Sequence, residues 1–462
     1  MHPLHGDLVT IVGEGNVIDD PSTLSAYSQS IWNPFPPISP GLIVRPGSTN
    51  EVAEVLKLAN RSKNPIVTRG GGASLSGYPQ TDPGRSIILE TRRLNRVLEI
   101  DPANMVVRAE CGMLMSELEE AVGAQGFFVH TVSVPVRYVT LGGVLSGVSG
   151  SGLPPKGARD GTGLHFIMGM KVVLPDGRII NTGAGGSNVN SKADFMRGGS
   201  GPDLLGLFMG DGGIFGVKVE ATLELSHKPP VRSGGFSYFN DLDSSWKAIS
   251  KLTLLEPLPF SDVSIYGPGC RLLFYGVDGA SQEEVDLHTK RIEKICQEEG
   301  GGAAPEDIQS KLNARIDGTS LREESFVKRT RGLVSFISGK KEFPLIHKTL
   351  TEFLAAEIRR LGFEGNGLSV VSAITPKKSH SVYASVSVLF DPSKEGAKAA
   401  TLEIQKAAFK KAVEMGCSLE PHGGYAALMA GDAWSSEFKD TIKDMKALLD
   451  PNNILNVGLW GL

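Results

Sequence analysis

The chain contains 462 residues, of which 40% are apolar and 21% are charged, and its formal net charge is −4. This balance excludes a disordered chain and argues against nucleic acid or an anionic membrane surface as the main partner. The length predicts two or three domains, because single hydrophobic cores stop growing near about 250–300 residues. Glycine stands out with 56 residues, about 12% of the chain against a usual share of about 7%.

The small counts exclude several classes of protein. The cysteines, Cys111, Cys270, Cys296 and Cys417, form no CxxC pair, so neither an iron–sulfur cluster nor a Cys-rich zinc site is expected. Scattered single cysteines suit a reducing compartment. The N-terminus MHPLHGDLVT lacks the pattern of a signal peptide, and no uncharged stretch is apolar enough for a membrane span. We therefore expect a cytoplasmic protein.

The first half of the chain alternates between strand and helix signals. Residues 1–37 are predicted to form a helical leader. A first domain over residues 38–230 begins with the strand GLIVRP, a helix capped by Ser48 and Thr49, and the strand PIVTRG. It ends with the strand GVKVEATLELSHK. Within this domain, Ser116 is predicted to cap a second helix and Asp176-Gly177 to form the turn of a hairpin.

The second half predicts another domain over residues 231–420 and a compact ending over residues 421–462. Strands such as DVSIYG and RLLFYGV alternate with helices such as EEVDLHTKRIEKICQEEG, which favours an antiparallel sheet covered by helices. The whole chain is thus predicted to be α+β. Several histidines that lie in no motif are expected at the surface: His2, His5, His227, His288 and His347.

Common catalytic motifs are absent from the sequence. There is no GxGxxG fingerprint, no Walker A loop, no GxSxG elbow and no HExxH zinc motif. Three segments between residues 70 and 216 instead concentrate the glycine. The first, RGGGASLSG at residues 69–77, follows a strand, and consecutive glycine N–H groups in such a loop can bind a pyrophosphate. The alternative for this segment alone is a flexible surface loop.

Six motifs occur in a fixed order, namely PGSTNEVAEVL, RGGGASLSG, LGG, GMKVVLPDG, GSGPDLLGLF and DPNNILNVG. In this order they resemble the vanillyl-alcohol oxidase / p-cresol methylhydroxylase superfamily of FAD enzymes, and the resemblance covers residues 38–462. It implies an α+β fold: a two-lobed FAD-binding domain of the p-cresol methylhydroxylase type, an α+β cap domain, and a final segment that returns to the FAD-binding domain. Because RGGGASLSG contains no histidine, we expect FAD to be bound there without a covalent bond.

The resemblance also implies which residues contact FAD. Residues 70–74 would hold the pyrophosphate, and the backbone at Pro135, Gly142, Gly143 and Gly216 would approach the flavin and its ribityl chain. The implied set is Arg69, Gly70, Gly71, Gly72, Ala73, Ser74, Gly77, Tyr78, Pro135, Leu141, Gly142, Gly143, Gly152, Gly212, Gly216, Val217 and Asn456. The last motif departs from the family pattern, because Leu459 follows Gly458 where relatives have lysine or arginine.

An FAD enzyme of this kind takes hydride from a C–H bond that a neighbouring oxygen makes labile. The phenol-oxidising branch of the superfamily has a tyrosine after the glycine loop and another near the C-terminus, and this chain has Tyr78 and Tyr425 there. The resemblance thus implies oxidation at a benzylic or carbinol carbon of a para-substituted phenol. Tyr78 and Tyr425 would orient the substrate, and His422 would act as acid/base or polarising group. His380 lies near the cap-strand histidine of those relatives.

Other functions stay open. Ala426 replaces the phenolate-binding arginine of the phenol branch, and Arg329 or Arg331 could supply that charge. The same arginines could bind the carboxylate of a 2-hydroxy acid, as in the lactate and glycolate dehydrogenase branch. However, proline precedes His422 where that branch has a metal-binding glutamate, so no metal site is predicted. A third possibility is an FAD electron-transfer subunit without a substrate of its own.

The only information that the sequence gives about the electron acceptor is the absence of motifs for a redox group other than FAD. Since no cluster or haem motif is present, electrons are expected to pass to oxygen or to a partner protein. Such a partner would be a cytochrome, an electron-transferring flavoprotein or an iron–sulfur subunit. We expect the chain to act in a homo- or hetero-oligomer.

Overall fold

The computed structural model describes residues 2–28, 39–72, 82, 84–130, 138–147, 166–188, 190–193, 195–198, 201–303, 305–306, 330–365, 368–377, 381–391, 393–419 and 424–462. The chain divides into two units. Unit 1 comprises Met1–Gly150, Leu164–His227 and Pro421–Leu462, and unit 2 comprises Ser151–Gly163 and Lys228–Glu420.

The helices and strands are labelled in chain order over the described residues. The helices are α1 (His5–Val12), α2 (Pro21–Tyr27), α3 (Thr49–Ser62), α4 (Met115–Gly123), α5 (Leu141–Ser146), α6 (Ala184–Ser187), α7 (Leu204–Phe208), α8 (Leu242–Leu252), α9 (Gln282–Glu298), α10 (Phe343–Arg360), α11 (Ala397–Glu414), α12 (Gly424–Ala433) and α13 (Ser436–Leu449). The strands of unit 1 are β1 (Val17–Ile18), β2 (Leu42–Val44), β3 (Ile66–Arg69), β4 (Ile87–Glu90), β5 (Val97–Asp101), β6 (Val106–Glu110), β7 (Phe127–Val129), β8 (Ile167–Val173), β9 (Ile179–Asn181) and β10 (Val217–His227). Those of unit 2 are β11 (Val231–Tyr238), β12 (Asp262–Gly267), β13 (Leu272–Gly279), β14 (Thr330–Gly339), β15 (Leu368–Lys377), β16 (Ser381–Phe390) and β17 (Ser418–Leu419).

The first sheet of unit 1 has the strand order β1-β2-β4-β3. β2, β4 and β3 run parallel, and β1 joins the edge antiparallel to β2. Parallel neighbours need a crossover, and α3 supplies it between β2 and β3. Of the two predicted caps of α3, Ser48 is confirmed, since its side chain accepts the N–H of Glu51 at 3.2 Å. Thr49 is not a cap, because it is already the first residue of the helix. The buried face of α3, with Val52, Val55 and Leu56, packs in one core with the sheet and with α1.

The second sheet of unit 1 is antiparallel, in the order β5-β6-β10-β8-β9, and β7 also pairs with β10. The predicted hairpin is confirmed: β8 and β9 pair around a turn in which Gly177 has φ +83°. The predicted cap of α4 is wrong. The helix already begins at Met115, and Glu117 accepts the N–H of Leu114 at 2.9 Å, so Ser116 lies within the first turn.

The sheet of unit 2 is antiparallel, with the strand order β11-β13-β12-β15-β16-β14-β17. α8, α9, α10 and α11 bury apolar side chains beside it. One prediction about this unit is wrong, because His347 is buried in α10, where its Nε2 lies 2.9 Å from Ser372 Oγ and 3.3 Å from Cys270 Sγ. His2 in unit 1 is also buried, against the same prediction, and its Nδ1 accepts the N–H of Leu4.

Candidate cofactor site

The first glycine segment begins where β3 ends. Arg69 is the last residue of the strand, and Gly70, Gly71 and Gly72 follow it. A Cβ at Gly70 would overlap Thr140 Oγ1, and a Cβ at Gly71 would overlap the carbonyl oxygen of Tyr138. Glycine is therefore required here, since the backbone of this loop runs directly against the residues that precede α5.

The second glycine segment forms the start of α5. Thr140 caps this helix by accepting the N–H of Gly143 at 3.2 Å. The N–H of Gly142 donates to the carbonyl oxygen of Cys111 at 2.7 Å, and a Cβ on Gly142 would lie 3.0 Å from that oxygen. Leu141 is fully buried in the core of the second sheet. These contacts fix α5 close to the end of β6.

The third segment is the loop that precedes β10. Gly212 and Gly213 both adopt positive φ, at +60° and +76°, a region that side chains disfavour. A Cβ at Gly212 would overlap the side chain of Leu459, and one at Gly216 would come within 2.5 Å of Val172 Cγ1. The next residue, Val217, is a buried residue at the start of β10. The loop thus has no room for side chains on these faces.

A buried ion pair organises this third loop. Asp211 accepts a hydrogen bond from the Lys218 ammonium group and another from the N–H of Gly213, the latter at 2.8 Å. Both charged side chains are almost fully buried. Burial raises the pKa of Asp211 and lowers the pKa of Lys218, while their mutual attraction opposes both shifts. A buried pair of this kind is costly to break from one side.

The C-terminal segment connects the first and third loops. Asn456 is 6% exposed. Its side chain accepts the N–H of Thr68 at 3.0 Å and donates to Thr68 Oγ1 at 3.1 Å and to the carbonyl oxygen of Gly212 at 2.6 Å. Leu455 also forms a parallel bridge with Ile66. The segment therefore extends the first sheet beside β3 and fastens the loop at Gly212 to it.

A second buried lysine holds the same segment. Lys446 on α13 bonds to the Asp450 carboxylate and donates to the carbonyl oxygens of Ile214 (3.0 Å) and Leu455 (2.9 Å). Asp450 in turn accepts the N–H groups of Ile454 and Leu455 at 3.0 and 2.8 Å. Burial lowers the pKa of Lys446. The DPNNIL motif is thus a structural clamp.

The glycine loop fits an anionic group such as a pyrophosphate. Over the described residues, the N–H groups of Gly70, Gly71 and Gly72 have no hydrogen-bond acceptor, and the partly buried guanidinium of Arg69 has no ion pair or hydrogen bond. Burial lowers the pKa of Arg69, but an arginine keeps its charge. Donors without acceptors beside an uncompensated positive charge are the chemistry that binds phosphate.

Much of the sequence-predicted site lies outside the described residues. This holds for Ala73, Ser74, Gly77, Tyr78, Pro135, Gly152, Arg329, His380 and His422. Arg331 lies in β14 and Tyr425 in α12, and only their backbone is described. The remaining residues of the implied FAD-contacting set all lie within unit 1: Arg69, Gly70, Gly71, Gly72, Leu141, Gly142, Gly143, Gly212, Gly216, Val217 and Asn456.

Several residues of this site escaped the sequence reasoning. Thr68 and Thr140 each contact a glycine loop, and Asp211 with Lys218 holds the third one. The position of Thr140 directly before LGG was a usable signal, because threonine is a common helix cap. His130, a buried histidine outside the predicted set, has contacts elsewhere in unit 1. It stacks on Phe166 with 4.0 Å between ring centroids, and its Nε2 lies 2.6 Å from Ser226 Oγ.

Two further observations bear on the kind of protein. No group of three or more His, Cys, Asp or Glu side chains in the described part of the chain is placed to hold a metal ion. Among the described helices, none combines the length and the apolar character that a membrane span requires.

Comparison with known proteins gives two domain matches and full-length similarities. Residues 40–183 match the FAD binding domain, and residues 382–459 match the C-terminal domain of FAD linked oxidases. Glycolate oxidase subunit GlcD of Bacillus subtilis (strain 168) is 24% identical over 487 residues, covering 98% of this chain and 95% of that protein. The structures of 4-ethylphenol oxidase from Gulosibacter chungangensis and of p-cresol methylhydroxylase each superpose with a TM-score of 0.82 at 19% identity, covering 99% of this chain and 96% of theirs.

The glycine loops and the two domain matches define an FAD-linked oxidoreductase. The predicted α+β fold with a p-cresol methylhydroxylase-type FAD-binding domain is confirmed, and so is FAD as the cofactor. The resemblance of the motifs is thus confirmed: two segments of the chain match domain families of FAD enzymes, and the chain shares the fold of p-cresol methylhydroxylase and 4-ethylphenol oxidase.

Proposed function

We propose that this enzyme binds FAD with the pyrophosphate at residues 70–74 and oxidises a small para-substituted phenol or aryl alcohol at its benzylic or carbinol carbon. The observation that carries the cofactor site is the set of glycine N–H groups without acceptors beside the unpaired Arg69, over the described residues. Bound FAD accepts the hydride. The FAD-binding domain is proposed to span residues 38–230 with the returning segment 421–462, and the cap domain residues 231–420.

The support for a phenolic substrate comes from the sequence and from the fold. Tyr78 and Tyr425 stand where the phenol-oxidising branch has tyrosines, and we propose that they orient and ionise the phenol. His422 is proposed as the acid/base group, and His380 as a further polar contact. Two enzymes whose names state phenolic substrates share the fold over nearly the whole chain. A bound phenolate needs a cation, and Arg329 or Arg331 is proposed for that role.

A second candidate is a 2-hydroxy-acid dehydrogenase. The supporting observation is the similarity to a glycolate oxidase subunit over 98% of this chain. In this case Arg329 or Arg331 would bind the substrate carboxylate, and His422 would take the hydroxyl proton. Either enzyme would pass its electrons to oxygen or to a partner protein such as a cytochrome, an electron-transferring flavoprotein or an iron–sulfur subunit. We propose that the enzyme itself is cytoplasmic.

Anaerobic reduction of the bound flavin distinguishes the candidates. The purified enzyme is mixed without oxygen with 4-cresol, vanillyl alcohol, D-lactate or glycolate, and loss of the yellow flavin absorbance is followed. The phenolic proposal expects bleaching by 4-cresol or vanillyl alcohol. Bleaching by the hydroxy acids alone would reject it in favour of the second candidate, and bleaching by none of the four would reject both.

A variant and a metal analysis sharpen this result. Tyr78→Phe should slow flavin reduction by phenols while leaving FAD content unchanged, because it removes only the hydroxyl group that binds the phenol. An equal loss of FAD would instead show that Tyr78 serves the cofactor. Metal analysis of the same preparation gives an independent readout, since the hydroxy-acid branch expects a bound divalent ion.

A further inference from the structure

Arg69 occupies an unusual electrostatic position at the start of the glycine loop. It lies opposite Glu90 in the register of the parallel strands β3 and β4, where an ion pair between the two would be expected. Over the described residues, however, its guanidinium forms no ion pair with Glu90 or any other carboxylate. Over the described residues, a partly buried cation therefore has no ion pair although a carboxylate lies opposite it on the neighbouring strand.

The carboxylate of Glu90 is occupied by other groups. Glu90 is 7% exposed. Its Oε1 lies 2.8 Å from Arg45 Nε, and its Oε2 accepts the hydroxyl proton of Tyr27. Arg45 Nη2 also donates to the Tyr27 hydroxyl oxygen at 2.9 Å. Arg45, Glu90 and Tyr27 thus form a closed triangle of contacts that fixes the tyrosine ring.

The ring of Tyr27 supports the guanidinium of Arg69. The Arg69 Cζ atom lies 4.5 Å from the ring centroid, within the range of a cation–π contact. The guanidinium also lies against the glycine loop, because a Cβ at Gly72 would overlap it. Two arginines and one glutamate meet here, so the cluster carries one positive charge in excess.

We infer that Tyr27 is a positioning residue for FAD, which it serves by holding the Arg69 guanidinium against the loop so that its charge faces the pyrophosphate. Tyr27 ends α2, a helix of the N-terminal segment, outside residues 40–183 that match the FAD binding domain. The N-terminal segment thereby contributes to cofactor affinity through Arg69. This inference rests on the proposed pyrophosphate site but is independent of the substrate.

Fluorination of the ring tests the contact without changing its shape. Tyr27→Phe keeps the electron-rich ring, whereas pentafluorophenylalanine at position 27 has the same outline and a reversed quadrupole. Apoprotein of each variant is titrated with FAD, with ADP and with riboflavin, and flavin fluorescence or calorimetry gives the Kd. We expect the fluorinated variant to bind FAD and ADP about 3- to 30-fold more weakly than Tyr27→Phe. Riboflavin, which carries no phosphate, should bind both equally.

A double-mutant cycle with Arg69→Met identifies the partner. In the Arg69→Met background, fluorination of residue 27 should leave the FAD Kd unchanged, because the cation is gone. Equal FAD affinity of the Tyr27→Phe and fluorinated proteins with Arg69 present would overturn the inference. So would an equal loss in both backgrounds or an equal loss for riboflavin. Wild-type apoprotein provides the test of the pyrophosphate site itself. If it binds neither FAD nor ADP more tightly than riboflavin, that site is rejected, and the inference with it.

Discussion

The substitution Asn456→Ala probes the clamp between the C-terminal segment and the glycine loops. The variant removes three hydrogen bonds, two to Thr68 and one to the carbonyl oxygen of Gly212. It leaves the N–H of Thr68 and the carbonyl oxygen of Gly212 without their side-chain partner in a buried place. It also puts alanine at φ +42°, where asparagine is tolerated better.

The expected cost follows from these two effects. Three hydrogen bonds at about 0.5–1.5 kcal/mol each give a loss of about 3 kcal/mol in the free energy of unfolding. Left-handed backbone adds about 1 kcal/mol. Asn453→Ala is the matched control, because Asn453 has φ +46° in the same motif but an exposed side chain. The control should show only the backbone cost, so the two variants should differ by about 3 kcal/mol.

Urea denaturation of the apoprotein measures this difference. Trp434 and Trp460 lie 5.2 Å apart, between ring centroids, in unit 1 and report its unfolding by fluorescence. FAD titration of the same proteins should show weaker binding for Asn456→Ala than for Asn453→Ala, because Thr68 directly precedes Arg69 and its loop. Equal unfolding free energies for the two variants would refute the assignment of Asn456 as a clamp.

Three further predictions concern single features of the fold. Gly71→Ala should abolish FAD uptake, because the added Cβ overlaps a backbone carbonyl oxygen. The control Gly6→Ala on α1 has open space around its Cβ and should leave the free energy of unfolding unchanged or raise it by up to about 1 kcal/mol. Retained FAD content in Gly71→Ala would contradict this prediction. Lys218→Met should lower the free energy of unfolding, measured by urea denaturation, by about 3–5 kcal/mol, since it leaves the Asp211 carboxylate buried and unpaired. Adding Asp211→Leu should recover most of this loss. No recovery would count against the broken ion pair as the cause. Burial lowers the pKa of His347 to about 4, so the unfolded chain, with a histidine pKa of about 6.5, binds the proton first as the pH falls. That stabilisation is complete above pH about 6.5 and is lost toward pH about 4. Between pH 7.5 and 5 the wild type should lose about 2 kcal/mol more than His347→Gln, and equal losses would show that His347 is not the titrating group.

The elements that the sequence predicted correctly depend on local signals. Ser48 caps α3 because its hydroxyl reaches an N–H three residues away. The Asp176-Gly177 turn needs only a glycine at positive φ between two strands. The cap at Ser116 failed because Glu117 satisfies the backbone one residue earlier, so the helix starts at Met115. A competing local contact is enough to shift such a boundary.

Features that depend on distant partners could not be predicted in this way. His347 is buried because Ser372 and Cys270, far away in the chain, supply its polar contacts. Arg69 stacks on Tyr27, which is distant in the sequence, and no local pattern around either residue indicates this contact. The glycine segments identified the cofactor because close backbone approach restricts residue type directly. The choice of substrate depends on side chains such as Tyr78 and His422. Their proposed roles rest only on the resemblance of the motifs to those of the phenol-oxidising branch.

The FAD content of the purified enzyme tests the central claim most directly. The protein is unfolded in acid or by heat, the released flavin is separated and counted against the chain, and the apoprotein is then titrated with FAD. We predict one FAD per chain, which is released because no covalent bond joins it to the protein. We also predict that the apoprotein takes up FAD again, that ADP inhibits this uptake by competition, and that Gly71→Ala abolishes it. A wild-type protein that carries no FAD and takes none up, or a Gly71→Ala protein that reloads as the wild type does, would contradict the cofactor site described for unit 1.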